Sequence, residues 1–291
     1  MRDEEEPDDH KQDAGDRLAL PPRGDRMVER DAARLNEGFE VAAAKMPACP
    51  PSSGDFYAAF PLEEGKVGIV MGDVVGHGPE AAGHADQLKD AIAGVMQEGL
   101  PPDEALNFVN AAAEMRPEFQ GFATVFAGTV DAQGTIVYAS GGHEPALLTP
   151  GQQQPEQSGG ESAAVTGASG DHIEELSPTG PPLGVMGTDE FRHQSETARM
   201  GEGATLLLYT DGVTEARDGR RGFLGAERMR LWLARFLTLR PDALILKLIR
   251  YVWRHSRRGE TLRDDAALLA LKRLPAEEAA ALDGTPAPER P

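Results

Sequence analysis

Cysteine is all but absent. Cys49 stands alone in 291 residues, which excludes a disulfide framework and any multi-cysteine zinc site and fits a reducing compartment. The seven histidines are scattered without His-x-x-x-His spacing, so a zinc hydrolase lacks its ligands. No stretch approaches the ~18 consecutive apolar residues that span a bilayer. The amino terminus is the reverse of a cationic signal start, with eight acidic and two basic side chains in the first sixteen residues. A soluble, cytoplasmic protein without membrane association is expected. Neither a GxGxxG string nor a P-loop is present to suggest a nucleotide fold. A net charge of −19 argues against nonspecific nucleic-acid binding, because the phosphate backbone would be repelled.

What is present is enough apolar material, 40% of residues, for a sizeable core. Residues 1–25 read as a disordered acidic tail, and a helical pattern over 25–35 gives a short linker helix at 26–37. The main domain follows over 38–274. Within it, residues 150–170 form a flexible loop rich in Gln, Gly, Ser and Ala, and 275–291 is a second disordered tail. Apolar runs bounded by Gly, Pro or Asp predict strands over 39–44, 56–62, 67–72, 122–130, 135–140, 204–210 and 266–272. The pair around 131–134 forms a hairpin, with Gly134 supplying positive φ. Two amphipathic helix pairs are predicted, over 79–98 and 102–115, then 226–237 and 241–255. This grouping suits a layered sandwich with helices outside better than βαβ alternation; a parallel doubly wound sheet is second choice.

Charge is uneven along the chain. Residues 217–263 hold thirteen Arg or Lys and four Asp or Glu, a local excess of nine cations. The segment reads either as a solvated helix face or as a docking face for an acidic protein partner.

Four aspartates each stand at the end of an apolar run: Asp55, Asp73, Asp211 and Asp264. Any one alone reads as a solvated turn. As a set they would be costly at buried strand ends, unless a divalent cation compensates them. Hard cations such as Mg²⁺ and Mn²⁺ prefer oxygen ligands, and four carboxylates can hold two of them about 3.5–4 Å apart with one Asp bridging. Water between two cations is acidified, and its natural target is a phosphate ester. Gly54, Gly72, Gly76, Gly78 and Gly212 would allow close backbone approach to an ion. A haloacid-dehalogenase-like phosphatase would need an Asp where Tyr209 stands.

The strings Gly72-Asp73-Val74-Val75-Gly76-His77-Gly78, residues 139–148 with Gly142-His143-Glu144-Pro145, Pro181-Pro182-Leu183-Gly184, Tyr209-Thr210-Asp211-Gly212 and Asp264-Asp265 resemble the SpoIIE/RsbU branch of the PPM phosphatases, the protein phosphatase 2C-like metal-dependent enzymes. The resemblance implies an α+β fold, an αββα four-layer sandwich of two stacked, mainly antiparallel sheets flanked by helix pairs. It implies two Mn²⁺ or Mg²⁺ ions: Asp73 bridges both, Asp211 and Asp264 complete one site, and Asp55 with the Val74 backbone carbonyl completes the other. Asp265 stands where a supporting polar residue is usual. The implied reaction is attack by metal-activated water on phosphoserine or phosphothreonine, and the implied substrate is a phosphorylated anti-sigma-factor antagonist, a STAS-domain protein, in partner-switching signalling. The alternative is a catalytically weak phosphatase-like module that signals by contact. Hydrolysis of a small phosphorylated metabolite is a third reading.

Two departures from the family pattern stand out, Ser53 for a glycine and Ala267 for a threonine. His77 and His143 read as structural hydrogen bonders or as acid–base groups, and Lys45 as a solvated residue or a phosphate contact. The helix from residue 79 starts beside Asp73, so its movement would shift Val74. The roughly 35 residues before the core are too few for a sensory domain, and the expectation is control by a separate activator protein or by homodimerisation.

Overall fold

The central strands are apolar on both faces because each face meets a different layer. In β13 (Ala266–Arg273), Ala266, Leu268 and Ala270 join one buried cluster while Ala267, Leu269 and Leu271 join another. β10 (Thr205–Tyr209) divides in the same way, as does β2 (Phe39–Met46). The computed structural model describes residues 28–36, 38–48, 50, 52–115, 121–151, 172–218, 222–256 and 262–282.

The first sheet adds β1 (Glu29–Asn36), β7 (Ala146–Leu148) and β8 (Glu174–Leu176), in the order β1-β2-β13-β10-β7-β8. The second consists of β3 (Asp55–Pro61), β4 (Val67–Val74), β5 (Ala123–Val130), β6 (Thr135–Gly141) and β9 (Glu196–Arg199), in the order β3-β4-β5-β6-β9. Every ladder in both sheets is antiparallel. Phe39, Val41, Met71, Phe126, Leu206 and Leu269 fill the space between the sheets.

Helices close the outer faces. α1 (Pro79–Gln97) and α2 (Pro102–Glu114) cover the second sheet through Leu88, Ile92, Met96, Leu106 and Val109. α1 ends where Gly99 takes φ +99, a conformation that costs glycine little. α4 (Ala226–Leu233) and α5 (Pro241–His255) cover the first sheet. In α5, proline opens the helix and Leu244, Ile245, Leu248, Ile249 and Val252 form the buried stripe. Each such side chain contributes ~1.5–3 kcal/mol on burial, so packing outweighs intrinsic helix propensity. Helix, sheet, sheet and helix give the expected αββα sandwich.

Two expectations need correction. The helix over 25–35, the linker at 26–37, is strand β1: its backbone pairs with β2 from Glu29↔Lys45 to Asn36↔Phe39. Alanine and arginine favour helix locally, but an unpaired edge of β2 offers hydrogen bonds that override that preference. The tail from 275 contains α6 (Ala276–Leu282), an alanine-rich turn sequence with Glu277 and Glu278 at its positive end. Residues 1–25 and nearly all of the 150–170 loop lie outside the described residues. The helix expected over 226–237 stops at Leu233, whereas 241–255 and the Gly134 hairpin match, the latter with φ +85.

Candidate metal centre

All four aspartates meet at one edge of the sandwich, because the strands that carry them enter or leave there. Asp55 opens β3 and Asp73 lies near the end of β4; the two are direct cross-strand partners. Asp211 opens α3 (Asp211–Thr214), a single turn immediately after β10, and Asp264 lies in the approach to β13. Since β10 and β13 pair from Thr205↔Lys272 to Tyr209↔Leu268, those two carboxylates are brought together from the other sheet.

Supporting contacts fix the loops. The Asp265 carboxylate accepts the Ala48 N–H at 2.7 Å and the Gly54 N–H at 2.8 Å, tying the approach to β13 to the turn before β3. A charged acceptor strengthens both bonds. Thr210 does the same work between sheets: its Oγ1 donates to Asp55 Oδ2 at 2.7 Å and accepts the Ala267 N–H at 2.8 Å. Position 267 needs only its backbone for this, so alanine serves. Ser53 has no positive φ and its Oγ accepts the Asp55 N–H at 3.2 Å.

Two glycines are required by close approach. A Cβ on Gly54 would lie 2.8 Å from the Val74 carbonyl oxygen and 3.2 Å from Asp73 Oδ1, while one on Gly212 would run into the Asp265 carbonyl. Gly72 is different from what was expected of it, since its missing side chain makes room for the Phe56 ring and the Thr124 carbonyl. Gly76 and Gly78 bend the chain at φ +112 and +84.

The electrostatics are those of crowded carboxylates. Burial, then the charge of Asp73, pushes the Asp55 pKa well above the usual range, against the pull of the Thr210 hydrogen bond. Asp73 is pushed up to about 7 by burial, then by Asp211 and Asp264. Asp211 is raised by burial, then by Asp264 and Glu215, and Glu144 is raised by burial, then by Asp211 and Glu215. Among the described residues, no three His, Cys, Asp or Glu side chains converge into a ready-made ligand set. The donor set is nevertheless all oxygen, partly buried and mutually repelling, which is the chemistry of a hard divalent cation site.

The remaining candidates separate. His77 is exposed. His143 is buried, with Nδ1 3.1 Å from Thr124 Oγ1, and desolvation pushes its pKa down to about 4, so it stays neutral near pH 7. Lys45 faces Glu29 at 3.5 Å. Thr210 and Glu144 were missed from sequence, although Thr210 sits inside the Tyr-Thr-Asp-Gly string; a hydroxyl bridging two strands leaves no periodic signal.

The family model for stage II sporulation protein E (SpoIIE) matches residues 63–274, a span that contains Asp73, Asp211 and Asp264 but begins after Asp55. Protein IcfG of Synechocystis is 26% identical over 268 residues, 82% of this chain and 38% of its own length. Phosphoserine phosphatase RsbU of Bacillus subtilis is 26% identical over 189 residues, 65% of this chain and 50% of its own. This chain therefore spans half or less of these relatives. Among solved structures, the RsbU and RsbW domains of Rv1364c from Mycobacterium tuberculosis align with TM-score 0.65 and 28% identity, covering 84% of this chain and 62% of that one.

Proposed function

The chain belongs to the SpoIIE family, in the SpoIIE/RsbU branch of the PPM phosphatases, and on that premise we propose that it is a metal-dependent phosphoprotein phosphatase acting on phosphoserine or phosphothreonine. The observation that carries this reading is the crowding of Asp55, Asp73, Asp211 and Asp264 at one edge of the sandwich, where burial and then the neighbouring carboxylates raise the pKa values of Asp55, Asp73 and Asp211. Such repulsion has no structural benefit unless cations relieve it.

Asp73, Asp211 and Asp264 would hold one Mn²⁺ or Mg²⁺ ion; Asp73, Asp55 and the Val74 carbonyl would hold the second. Bound divalent cations supply charge neutralisation for the phosphate and make hydroxide available near neutral pH. The protein's own part is positional. Thr210 fixes the rotamer of Asp55 by donating to Oδ2, and Asp265 locks the loops on either side by accepting two N–H groups. Gly54 and Gly212 remove the side chains that would hold these segments apart. His143, neutral and buried, serves packing rather than proton transfer.

The substrate is proposed to be a phosphorylated anti-sigma-factor antagonist of the STAS type, with support from the resemblance to RsbU and to a chain that joins RsbU and RsbW domains. Control by an activator protein or a second copy of the chain, and residence in the cytoplasm, belong to the same proposal. Among the described residues, no helix is long and apolar enough to cross a membrane.

Mn²⁺-dependent release of phosphate from a phosphoserine protein tests the reading. Asp211→Asn should lower the rate by at least about a hundredfold, since a lost metal site is worth several kcal/mol in the transition state. No metal-dependent release, or equal release by the variant, would reject the enzyme.

A further inference from the structure

The cations of residues 217–263 are not equivalent. Arg230 is neutralised by Glu227 at 3.0 Å and faces Glu175, and Arg240 is paired with Glu40 at 2.7 Å. Lys247 sits over the Phe236 ring. By contrast Arg217, Arg228, Arg235, Arg254 and Arg263 are exposed and, among the described residues, form no ion pair. Three of them, Arg217, Arg228 and Arg254, lie on or next to the contacts of one element.

That element is a small hairpin, β11 (Arg217–Asp218) with β12 (Gly222–Phe223). The Arg217 guanidinium lies 4.2 Å from the centroid of the Phe223 ring, and Arg228 Nη1 donates to the Phe223 carbonyl at 3.0 Å. His255, at the end of α5 beside Arg254, sits with Nε2 3.2 Å from the Gly222 carbonyl. Phe223 itself is 45% exposed although the Arg217 guanidinium stacks on its ring. An exposed aromatic flanked by unpaired Arg is the composition of a protein-binding hot spot rather than of a solvated helix face.

The hairpin is also tied to the carboxylate site. Gly225 N–H donates to the Thr214 carbonyl and Leu224 N–H to the Ala216 carbonyl, so β12 hangs directly from α3, the turn that begins with Asp211. The hairpin therefore lies beside the turn that Asp211 opens.

Resting on the phosphatase reading, we propose that the Arg217, Phe223, Arg228 and Arg254 face docks the substrate protein through an acidic surface beside its phosphorylated residue. Charge complementarity selects that occupant. With a net charge of −19 on the whole chain, an acidic partner is repelled from most of the surface and attracted here, which orients it as well as binding it. The face thereby chooses among phosphoproteins, a task that metal ligands cannot perform because every phosphate looks alike to them.

The probes are three fluorescent phosphoserine peptides, flanked by acidic, neutral or basic residues, titrated against the full chain carrying Asp211→Asn. The acidic-flanked peptide should bind about tenfold more tightly than the neutral one and lose that advantage at high salt. Adding Arg228→Glu or Arg254→Glu, both at exposed positions, should remove the preference, while melting temperature and Mn²⁺-dependent hydrolysis of p-nitrophenyl phosphate by the corresponding chains with Asp211 intact stay unchanged. No preference for acidic flanks, a preference that survives charge reversal, or tighter binding of a single-stranded DNA oligonucleotide would overturn the proposal. Failure of the phosphatase reading itself appears separately, as absence of metal-dependent hydrolysis of any phosphoester by the chain with Asp211 intact, whatever the peptides do.

Discussion

Asp55 and Asp73 lie side by side on neighbouring strands, the first buried and the second half-buried, whereas Asp211, half-buried, and Asp264, exposed, stand on a helix start and a loop. Asp55 is 2% exposed and has a dedicated hydroxyl donor; Asp264 is exposed and, among the described residues, accepts only the N–H of its neighbour Asp265, at 2.9 Å. The contrast separates two costs. Charge in the enclosed pair strains the fold itself, because desolvation and repulsion act together there. In the second pair Asp264 is exposed, and Asp211 is only half-buried, so water reaches that side more freely.

The sharpest test of this difference replaces one carboxylate from each pair. Both Asp73→Asn and Asp211→Asn should abolish most metal-dependent phosphate release. Their effects on the metal-free protein should differ in size: Asp73→Asn relieves the larger repulsion and should raise Tm by roughly 2–8 °C, whereas Asp211→Asn should raise it less. Thermal melts with and without Mn²⁺ check this. Equal Tm changes in the two variants would erase the distinction between the pairs.

A smaller effect is expected at the hinge of the enclosed pair. Thr210→Val keeps the shape but leaves Asp55 Oδ2 without its donor and the Ala267 N–H without its acceptor. Two buried groups lose partners, so stability should fall by about 2–4 kcal/mol. Urea unfolding should show a lower midpoint at unchanged slope, with Thr210→Ser restoring most of it.

How these pairs could be read from sequence differs for a physical reason. Aspartates that end apolar runs are visible, because alternation of burial along a strand is a local property of the chain; Asp73, Asp211 and Asp264 and the strands behind them were legible in this way. The αββα layering followed from strands that are apolar on both faces. What was not legible is pairing. β1 has the composition of a helix and becomes a strand only because β2 has a free edge. Thr210 matters because β10 and β13 adopt one particular register, and Asp265 because a loop more than two hundred residues away offers two N–H groups. Ser53 and Ala267 depart from the family pattern; in the fold one contributes an acceptor and the other only its backbone.

His143 sharpens the comparison from the enclosed side, with the smallest effect. Its partner Thr124 is the cross-strand neighbour of Asp73. Burial holds its pKa at about 4, against about 6.5 for a free imidazole. The unfolded chain gains a proton as pH drops below ~6.5 and the fold does not, so this contribution to stability is complete above pH ~6.5. It is lost progressively as pH falls toward ~4, reaching on the order of 3 kcal/mol. Asp55 and Asp73 act with the opposite sign, since raised carboxyl pKa values make the metal-free fold take up protons and gain stability over the same fall. The net slope of the parent protein therefore mixes both. His143→Gln keeps a polar partner for Thr124 and removes only the imidazole titration, so the stability gap between variant and parent should move in favour of the variant as pH drops from 7 to 5. A gap independent of pH would mean that the imidazole charges as easily inside the fold as outside, and that this flank is open to water. Repeating the measurement in an Asp211→Asn background should leave the gap unchanged, because burial and no carboxylate charge sets the imidazole's pKa.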